Sequence, residues 1–340
     1  MEKCKILAIE TSCDETAVAI VEDGKKILAN KVLSQIDIHK VFGGVVPEVA
    51  SRHHLEGLLP LIDEGLKEAG CTLDDITAVA VTNGPGLIGA LLVGLSLAKS
   101  LAYSINKPLI PVNHLAGHIY ANFLENEVKF PLVALIVSGG HTDLIYMEKH
   151  LDFKIMGQTR DDAAGEAFDK IARALGLGYP GGPLVDKLAA KGNPLSISFP
   201  KAYLEKNSFD FSFSGLKSAV LNYLHNSKQR GETIKIEDVC ASFQKSVVDV
   251  LVDKTIECAK EKGVKEIIVA GGVSANSGLR KAFEDACSKE GFNLSIPSHS
   301  LCTDNAAMIG CAAYYLYKAG RIGDLDLNAY ASMPLNSYSQ

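Results

Sequence analysis

The 340-residue chain carries one pattern twice, and this internal repeat constrains its fold more than any single motif. An apolar run at 5–10 is followed by polar Thr11-Ser12-Cys13-Asp14-Glu15, a second apolar run at 16–21, the hairpin turn Glu22-Asp23-Gly24 and a third strand-like run at 25–34. The same order returns after Pro131, with runs at 132–137, 142–147 and 153–156 and the loop Ser138-Gly139-Gly140-His141 after the first of them. A second unit also recurs. A strand at 76–82 ends in Asn83-Gly84-Pro85-Gly86 and leads to an apolar helix at 87–103 and a short strand at 109–112. Its counterpart is a strand at 266–270, the loop Gly271-Gly272-Val273-Ser274-Ala275-Asn276, a helix at 278–289 and a strand at 293–296. The reading is α/β, with two lobes, 1–128 and 129–340, facing each other across a cleft. The second lobe carries a helical insertion at about 157–235, and the last helix packs back on the first. The competing reading is one doubly wound sheet whose halves resemble each other by accident.

Composition narrows the class. A 47% hydrophobic content suits well-packed buried strands. The most membrane-like stretch, 87–105, is broken by Gly89, Gly94, Ser96, Lys99 and Ser100 and reads as a helix buried between layers. A strand begins almost at the first residue, so no secretory leader is expected. Eight cysteines without a Cys-x-x-Cys pair suit free thiols in a reducing, cytoplasmic setting. The 34 basic and 40 acidic side chains give a net charge of −6, so nucleic-acid contact would need a local basic strip or a partner.

Four small-residue loops end strands: 11–15, 83–86, 138–140 and 271–272. Free N–H groups in such loops form concave anion sites, and four at corresponding places point to a nucleotide. Glu10, Asp14 and Glu15 place negative charge nearby, which asks for a cation. His114 and His118 supply a candidate, since a four-residue spacing puts both imidazoles on one helical face. The equivalent stretch of the second repeat offers Asp304 from the opposite lobe, with His299 and Cys302 as competing ligands. Two histidines and a carboxylate leave coordination positions open, as a catalytic site requires. A His-Glu-x-x-His protease needs a glutamate general base where this chain has Leu115, so a metalloprotease is disfavoured. Asp169 and Asp186 flank the glycine turn Gly181-Gly182 and suit ribose hydroxyls, while Asn276 is either a ligand contact or a helix cap. No residue must act as a covalent nucleophile, and Cys13 is the best candidate for one. Asp14 and Glu10 are candidate general bases.

Ten motifs in one order carry a resemblance: IETSCDETAV, FGGVVPEVASR, NGPGLIG, HLAGH, VSGGHT, GEAFDK, YPGGP, FSFSGLK, GGVSAN and CTDNAAMIG. On these the chain resembles the TsaD family over nearly its full length. The resemblance implies an actin/Hsp70-like (ASKHA) duplicated fold. It implies transfer of threonylcarbamoyl from threonylcarbamoyl-AMP to the N6 amine of the tRNA adenosine beside the anticodon. It further implies one divalent metal, iron(II) favoured and zinc as the alternative, on His114, His118 and Asp304. Substrate contacts would fall on Ile136, Val137, Ser138, Gly139, Gly140, Asp169, Gly182, Asp186 and Asn276. Partners would be tRNA, an adenine nucleotide and TsaB- and TsaE-type proteins, with no membrane. A helix from Pro47 to Ala69, apolar at Leu55, Leu58, Leu59 and Ile62, is either a partner surface or buried in its own lobe. The main alternative function is a small-molecule kinase of the same superfamily; a non-catalytic ATP-driven interaction protein is a third class.

Overall fold

The computed structural model describes residues 3–201 and 208–336. The chain divides into two compact units, one formed from Met1–Val128, Lys149–Phe153 and Pro297–Gln340, the other from Lys129–Glu148 and Lys154–Ile296.

In the first unit, β1 (Lys5–Glu10), β2 (Glu15–Glu22) and β3 (Lys26–Ser34) form an antiparallel meander. It is followed by α1 (Ile36–Lys40), α2 (Pro47–Ala69), β4 (Ala78–Gly84), α3 (Ile88–Ser104), β5 (Leu109–Asn113) and α4 (His114–Glu125). β4 joins β1 in parallel and β5 joins β4, giving the order β3-β2-β1-β4-β5. The strands β1, β2 and β4 are buried on both faces, which is why they read as continuous apolar runs. Leu7, Ile9, Val18, Ile20, Val79 and Val81 pack against Leu58, Ile62, Leu91 and Leu95 of α2 and α3.

The second unit opens with β6 (Leu132–Val137), β7 (Thr142–Met147) and β8 (Lys154–Gln158). It continues through α5 (Ala164–Ala174), α6 (Gly181–Ala189), α7 (Ser214–Gln229), α8 (Ile236–Lys262), β9 (Glu266–Ala270), α9 (Ser277–Glu290) and β10 (Asn293–Ser295). Its sheet order, β8-β7-β6-β9-β10, reproduces the first in strand sequence and direction. Val133, Leu135, Val137, Ile267 and Val269 pack against Phe168, Phe243, Val247 and Phe283 from α5, α8 and α9. The accidental-similarity reading is therefore set aside: two sheets share one topology.

The chain then returns to the first unit with α10 (His299–Cys302) and α11 (Ala306–Lys318). α11 covers the second face of β1 and β2 and lies beside α4. Gly310 permits the approach, because a Cβ there would meet Val21 Cγ2 at 2.6 Å. The 27-residue α8 has no counterpart in the sequence reading. Its buried positions include Ser242, Gln244, Ser246, Lys254 and Thr255, so no one-sided apolar stripe announces it. No helix among the described residues is long and apolar enough to cross a membrane.

Candidate functional site

His114 and His118 stand on the first two turns of α4, and the chain starts that helix deliberately. Asn113 is its N-cap: the side-chain oxygen accepts from Leu115 N at 2.9 Å and Ala116 N at 3.3 Å. Asp304 directly precedes Asn305, which caps α11 in the same way through Met308 N at 3.0 Å. Packing of α11 beside α4 brings Asp304 into the first unit with both histidines. This corrects the expectation from the repeat that Asp304 comes from the opposite lobe. The last helix does return to the first unit, as expected, and Asp304 travels with it, which the repeat alone did not indicate.

The Nε2 atoms of His114 and His118 lie 3.4 and 3.3 Å from Asp304 Oδ1, and the donor atoms of all three residues fall within 4.8 Å of one another. Two ligands each about 2.1 Å from a shared ion stand at such separations. The Nδ1 of buried His118 has no hydrogen-bond partner among the described residues, and its Nε2 faces the Asp304 carboxylate. With Nε2 facing that carboxylate at 3.3 Å and Nδ1 without a partner among the described residues, the donor set fits a divalent metal.

Behind His114, Glu10 Oε2 lies 3.0 Å from Nδ1, and Ser12 Oγ lies 3.1 Å from the same atom. The carboxylate also accepts from Ser12 N at 2.5 Å and Thr82 Oγ1 at 2.6 Å, and Glu10 is fully buried. A carboxylate on Nδ1 fixes the tautomer that turns Nε2 toward a metal. Burial pushes the His114 imidazole down, but Asp304 and Glu10 outweigh it and hold it well above the usual histidine range. Burial dominates at His118, whose pKa falls. Burial would raise both carboxyls, yet His114 holds Glu10 and Asp304 below their usual range. Both carboxylates are therefore ionised, His118 is neutral, and His114 carries a proton that a cation bound at its Nε2 would release. Asp14 stays partly exposed on the loop. The Cys13 thiol is driven well above its ordinary range by burial and then by Asp14, which removes its thiolate at neutral pH. His299 and Cys302 lie on α10 and take no part in the three-residue group.

The four small-residue loops prove unequal. At 83–86 the backbone is spent on packing: Gly86 N donates to Ala331 O, Tyr330 N donates to Asn83 O, and Leu87 N donates to Ser12 O. That loop is a joint with the C-terminal segment, not an anion site. In the second unit Gly139 and Gly140 have open space where a Cβ would stand, and Gly165 N reaches back to Ser138 O at 3.1 Å. Ile136 and Val137 are wholly buried in β6, so only their backbone is available to a ligand. Gly271, at φ +90°, is there because a Cβ would meet Val137 O at 2.5 Å, whereas Gly272 is open.

Asp169 Oδ1 accepts from Gly181 N at 2.7 Å, and its pKa is raised by burial against that bond. Gly182 is open beside it. Asp186 accepts from Ser277 N and Ser277 Oγ, both at 2.9 Å, and from Gln244 Nε2 at 2.9 Å. Asn276 is the N-cap of α9 through Leu279 N at 2.8 Å, and it also donates to Gln244 Oε1 at 2.8 Å. Both readings of Asn276 thus remain compatible: a cap uses its oxygen and leaves an N–H. Sequence reasoning missed Gln244, Thr82 and His54. The last bonds Thr16 Oγ1 at 2.7 Å and Cys13 O at 2.9 Å, fixing the 11–15 loop from α2. Adjacent His53-His54 next to the Phe42-to-Arg52 motif was the only signal for it.

Comparison with known proteins bears on the family and the fold. The family model described as TsaD, tRNA N6-adenosine threonylcarbamoyltransferase, matches residues 26–311. A protein of that name from Staphylococcus saprophyticus is 62% identical over 338 residues, covering 99% of this chain and 98% of the relative. One from Staphylococcus aureus strain Newman is 59% identical over 334 residues, covering 98% of each. Among solved structures, full-length HypF in its phosphate- and nucleotide-bound form aligns with a TM-score of 0.64 at 14% identity, over 94% of this chain and 56% of HypF. The Acidaminococcus fermentans (R)-2-hydroxyglutaryl-CoA dehydratase component A aligns at 0.55 and 20% identity, over 93% and 99%. At such identities these likenesses speak for the duplicated actin-like fold alone. The kinase alternative gains no support from any of these relatives. Matched by the family model over most of its length and by relatives near 60% identity from end to end, the chain belongs to the TsaD family of tRNA N6-adenosine threonylcarbamoyltransferases.

Proposed function

We propose that this tRNA-modifying transferase moves the threonylcarbamoyl group of threonylcarbamoyl-AMP to the N6 amine of the adenosine adjacent to the anticodon. The observation that carries the reading is the group of buried His114 and His118 with half-buried Asp304, and Glu10 behind it. His114, His118 and Asp304 would hold one divalent metal, iron(II) favoured and zinc as the alternative. When bound, that ion supplies a Lewis acid for donor oxygens. The donor is a mixed anhydride: a new N–C bond forms at its carbonyl, the C–O bond to phosphate breaks, AMP leaves and the amine gives up a proton. Glu10, with its oxygens already engaged, orients His114 and is not free to take that proton. Asp14 is the carboxylate left for the role. In the second unit the backbone of Gly139 and Gly140, with open space beside it, would bind the acyl or phosphate portion. Asp169, Gly182, Asp186 and Asn276 hold the nucleotide. This division asks the protein for positioning and charge stabilisation, which suits an already activated carbonyl.

The reaction needs company. The exposed side chains Leu55 and Leu59 of α2 flank buried Leu58, and Val41 and Phe42 stand exposed just before the helix. These residues form the apolar surface we assign to a TsaB-type partner, with a TsaE-type protein completing a cytoplasmic assembly. The test is mass spectrometry of tRNA nucleosides after incubation with threonylcarbamoyl-AMP and the partners. Formation of N6-threonylcarbamoyladenosine, lost when this chain is left out, supports the reading; product that forms without this chain contradicts it.

A further inference from the structure

A short polar chain crosses three elements of the second unit, and it admits only one orientation. At one end is Asp186 of α6, whose ionised carboxylate can only accept. At the other is the backbone N–H of Leu279 in α9, which can only donate. Gln244 and Asn276 lie between them, each 8% exposed. Because Asp186 Oδ1 accepts from Gln244 Nε2 at 2.9 Å, Gln244 must turn its Oε1 to Asn276 Nδ2, 2.8 Å away. Because Leu279 N donates to Asn276 Oδ1 at 2.8 Å, the Asn276 amide is fixed in the matching sense. Neither amide can flip without setting donor against donor or acceptor against acceptor.

The consequence lies in what is left over. A carboxylate offers about four acceptor positions. Three of Asp186's are taken, two on Oδ1 by Gln244 and Ser277 Oγ and one on Oδ2 by Ser277 N. One remains, on Oδ2. Asn276 likewise keeps one N–H after donating to Gln244. Gly278 makes room for this arrangement, since a Cβ there would meet Gln244 Nε2 at 2.5 Å.

We infer that Gln244 is a positioning residue for nucleotide recognition: it sets Asp186 to accept one ribose hydroxyl and Asn276 to donate one hydrogen bond. The inference rests on the reading of Asp186 and Asn276 as nucleotide contacts. A residue that merely stabilises α8 would weaken all nucleotides alike; one that aims Asp186 weakens only those with ribose hydroxyls.

The experiment is calorimetric titration of the full chain with AMP and with 2′,3′-dideoxy-AMP. Gln244→Met keeps the length and loses both hydrogen bonds. It should raise the Kd for AMP about tenfold, the scale of a hydrogen bond to a charged group, and leave dideoxy-AMP within about twofold. Gly278→Ala, which pushes the amide from the other side, should give the same selective loss and serves if Gln244→Met does not fold by circular dichroism. Equal losses for both nucleotides, or no loss, overturn the role of Gln244. Asp186→Asn is the reference. If Asp186→Asn fails to distinguish the two nucleotides, the ribose reading itself fails and the inference with it. If Asp186→Asn discriminates while both other variants do not, only the inference falls.

Discussion

Glu10 Oε2 lies 3.0 Å from His114 Nδ1, and through that contact a residue with no surface of its own orients the ring whose Nε2 approaches Asp304. Outer carboxylates of this kind commonly contribute 10- to 100-fold to metal affinity, roughly. Glu10→Gln keeps an acceptor near Nδ1 and removes the charge. We expect iron(II) or zinc affinity, measured by chelator competition, to fall about 10- to 100-fold while the circular dichroism spectrum is unchanged. Undiminished affinity would assign Glu10 to packing alone.

His150 gives a pH signature. Its ring stacks on Tyr315 at 3.8 Å, and its Nδ1 lies 3.2 Å from Tyr120 Oη. Burial lowers its pKa to about 4. The unfolded chain, with an ordinary histidine near about 6.5, binds the proton more tightly than the folded one between these values. Stability from this group is therefore fully present above about pH 6.5 and is lost as pH falls toward about 4. His150→Phe should show a smaller drop in Tm between pH 7 and pH 5 than the unmodified chain. Identical drops would show that His150 does not titrate this way.

Much of this was legible in the sequence. The repeated strands could be read because β1, β2, β4, β6 and β9 are buried apolar runs ended by glycine or polar loops. His114 and His118 were legible from helical spacing and a strand end before them. Asp304 was legible as a candidate ligand, and the last helix was expected to return to the first lobe, but the repeat still set Asp304 in the opposite lobe; packing of α11 on β1 and β2 carries it to the histidines. Gln244 was not legible at all: it sits in a helix whose buried face mixes Ser242, Gln244 and Ser246 with valines. The loop at 83–86 misled for the opposite reason. Its glycines serve close packing against Ser12 and Tyr330, and composition cannot tell a crowded glycine from an open one.

On α2, Leu58 is 1% exposed and Leu59 62% exposed, so neighbours in sequence should behave oppositely. Leu58→Ala should cost about 2–5 kcal/mol in urea unfolding, the range for a buried leucine. The pair Leu55→Glu with Leu59→Glu should change stability by only about 0.5 kcal/mol each way and abolish association with a TsaB-type partner in gel filtration. Retained association would remove this face as the partner surface.

The isolated chain should bind tRNA weakly. Its 34 basic and 40 acidic side chains leave little counterion release to exploit. Of the basic stretches in or beside the insertion, 187–191, 201–206 and 228–230, residues 202–206 lie outside the described residues. Arg230 is forked onto Glu232 at 2.7 and 3.0 Å, which leaves exposed Lys228 as the freer charge of its pair. Reversing Lys228 and Arg230 should weaken tRNA binding by the assembled complex more than reversing Lys25 and Lys26. A salt-titrated filter assay checks both points; sub-micromolar, steeply salt-dependent binding by the chain alone would contradict them.

The central claim is that His114, His118 and Asp304 hold the metal that serves threonylcarbamoyl transfer. The most direct measurement is metal content by mass spectrometry, taken on untagged protein beside N6-threonylcarbamoyladenosine formation, for His114→Ala, His118→Ala and Asp304→Ala. Each variant should lose bound metal and transferase activity together, with its fold retained by circular dichroism. A variant carrying both histidine substitutions that binds no metal and still transfers at the full rate would contradict the account.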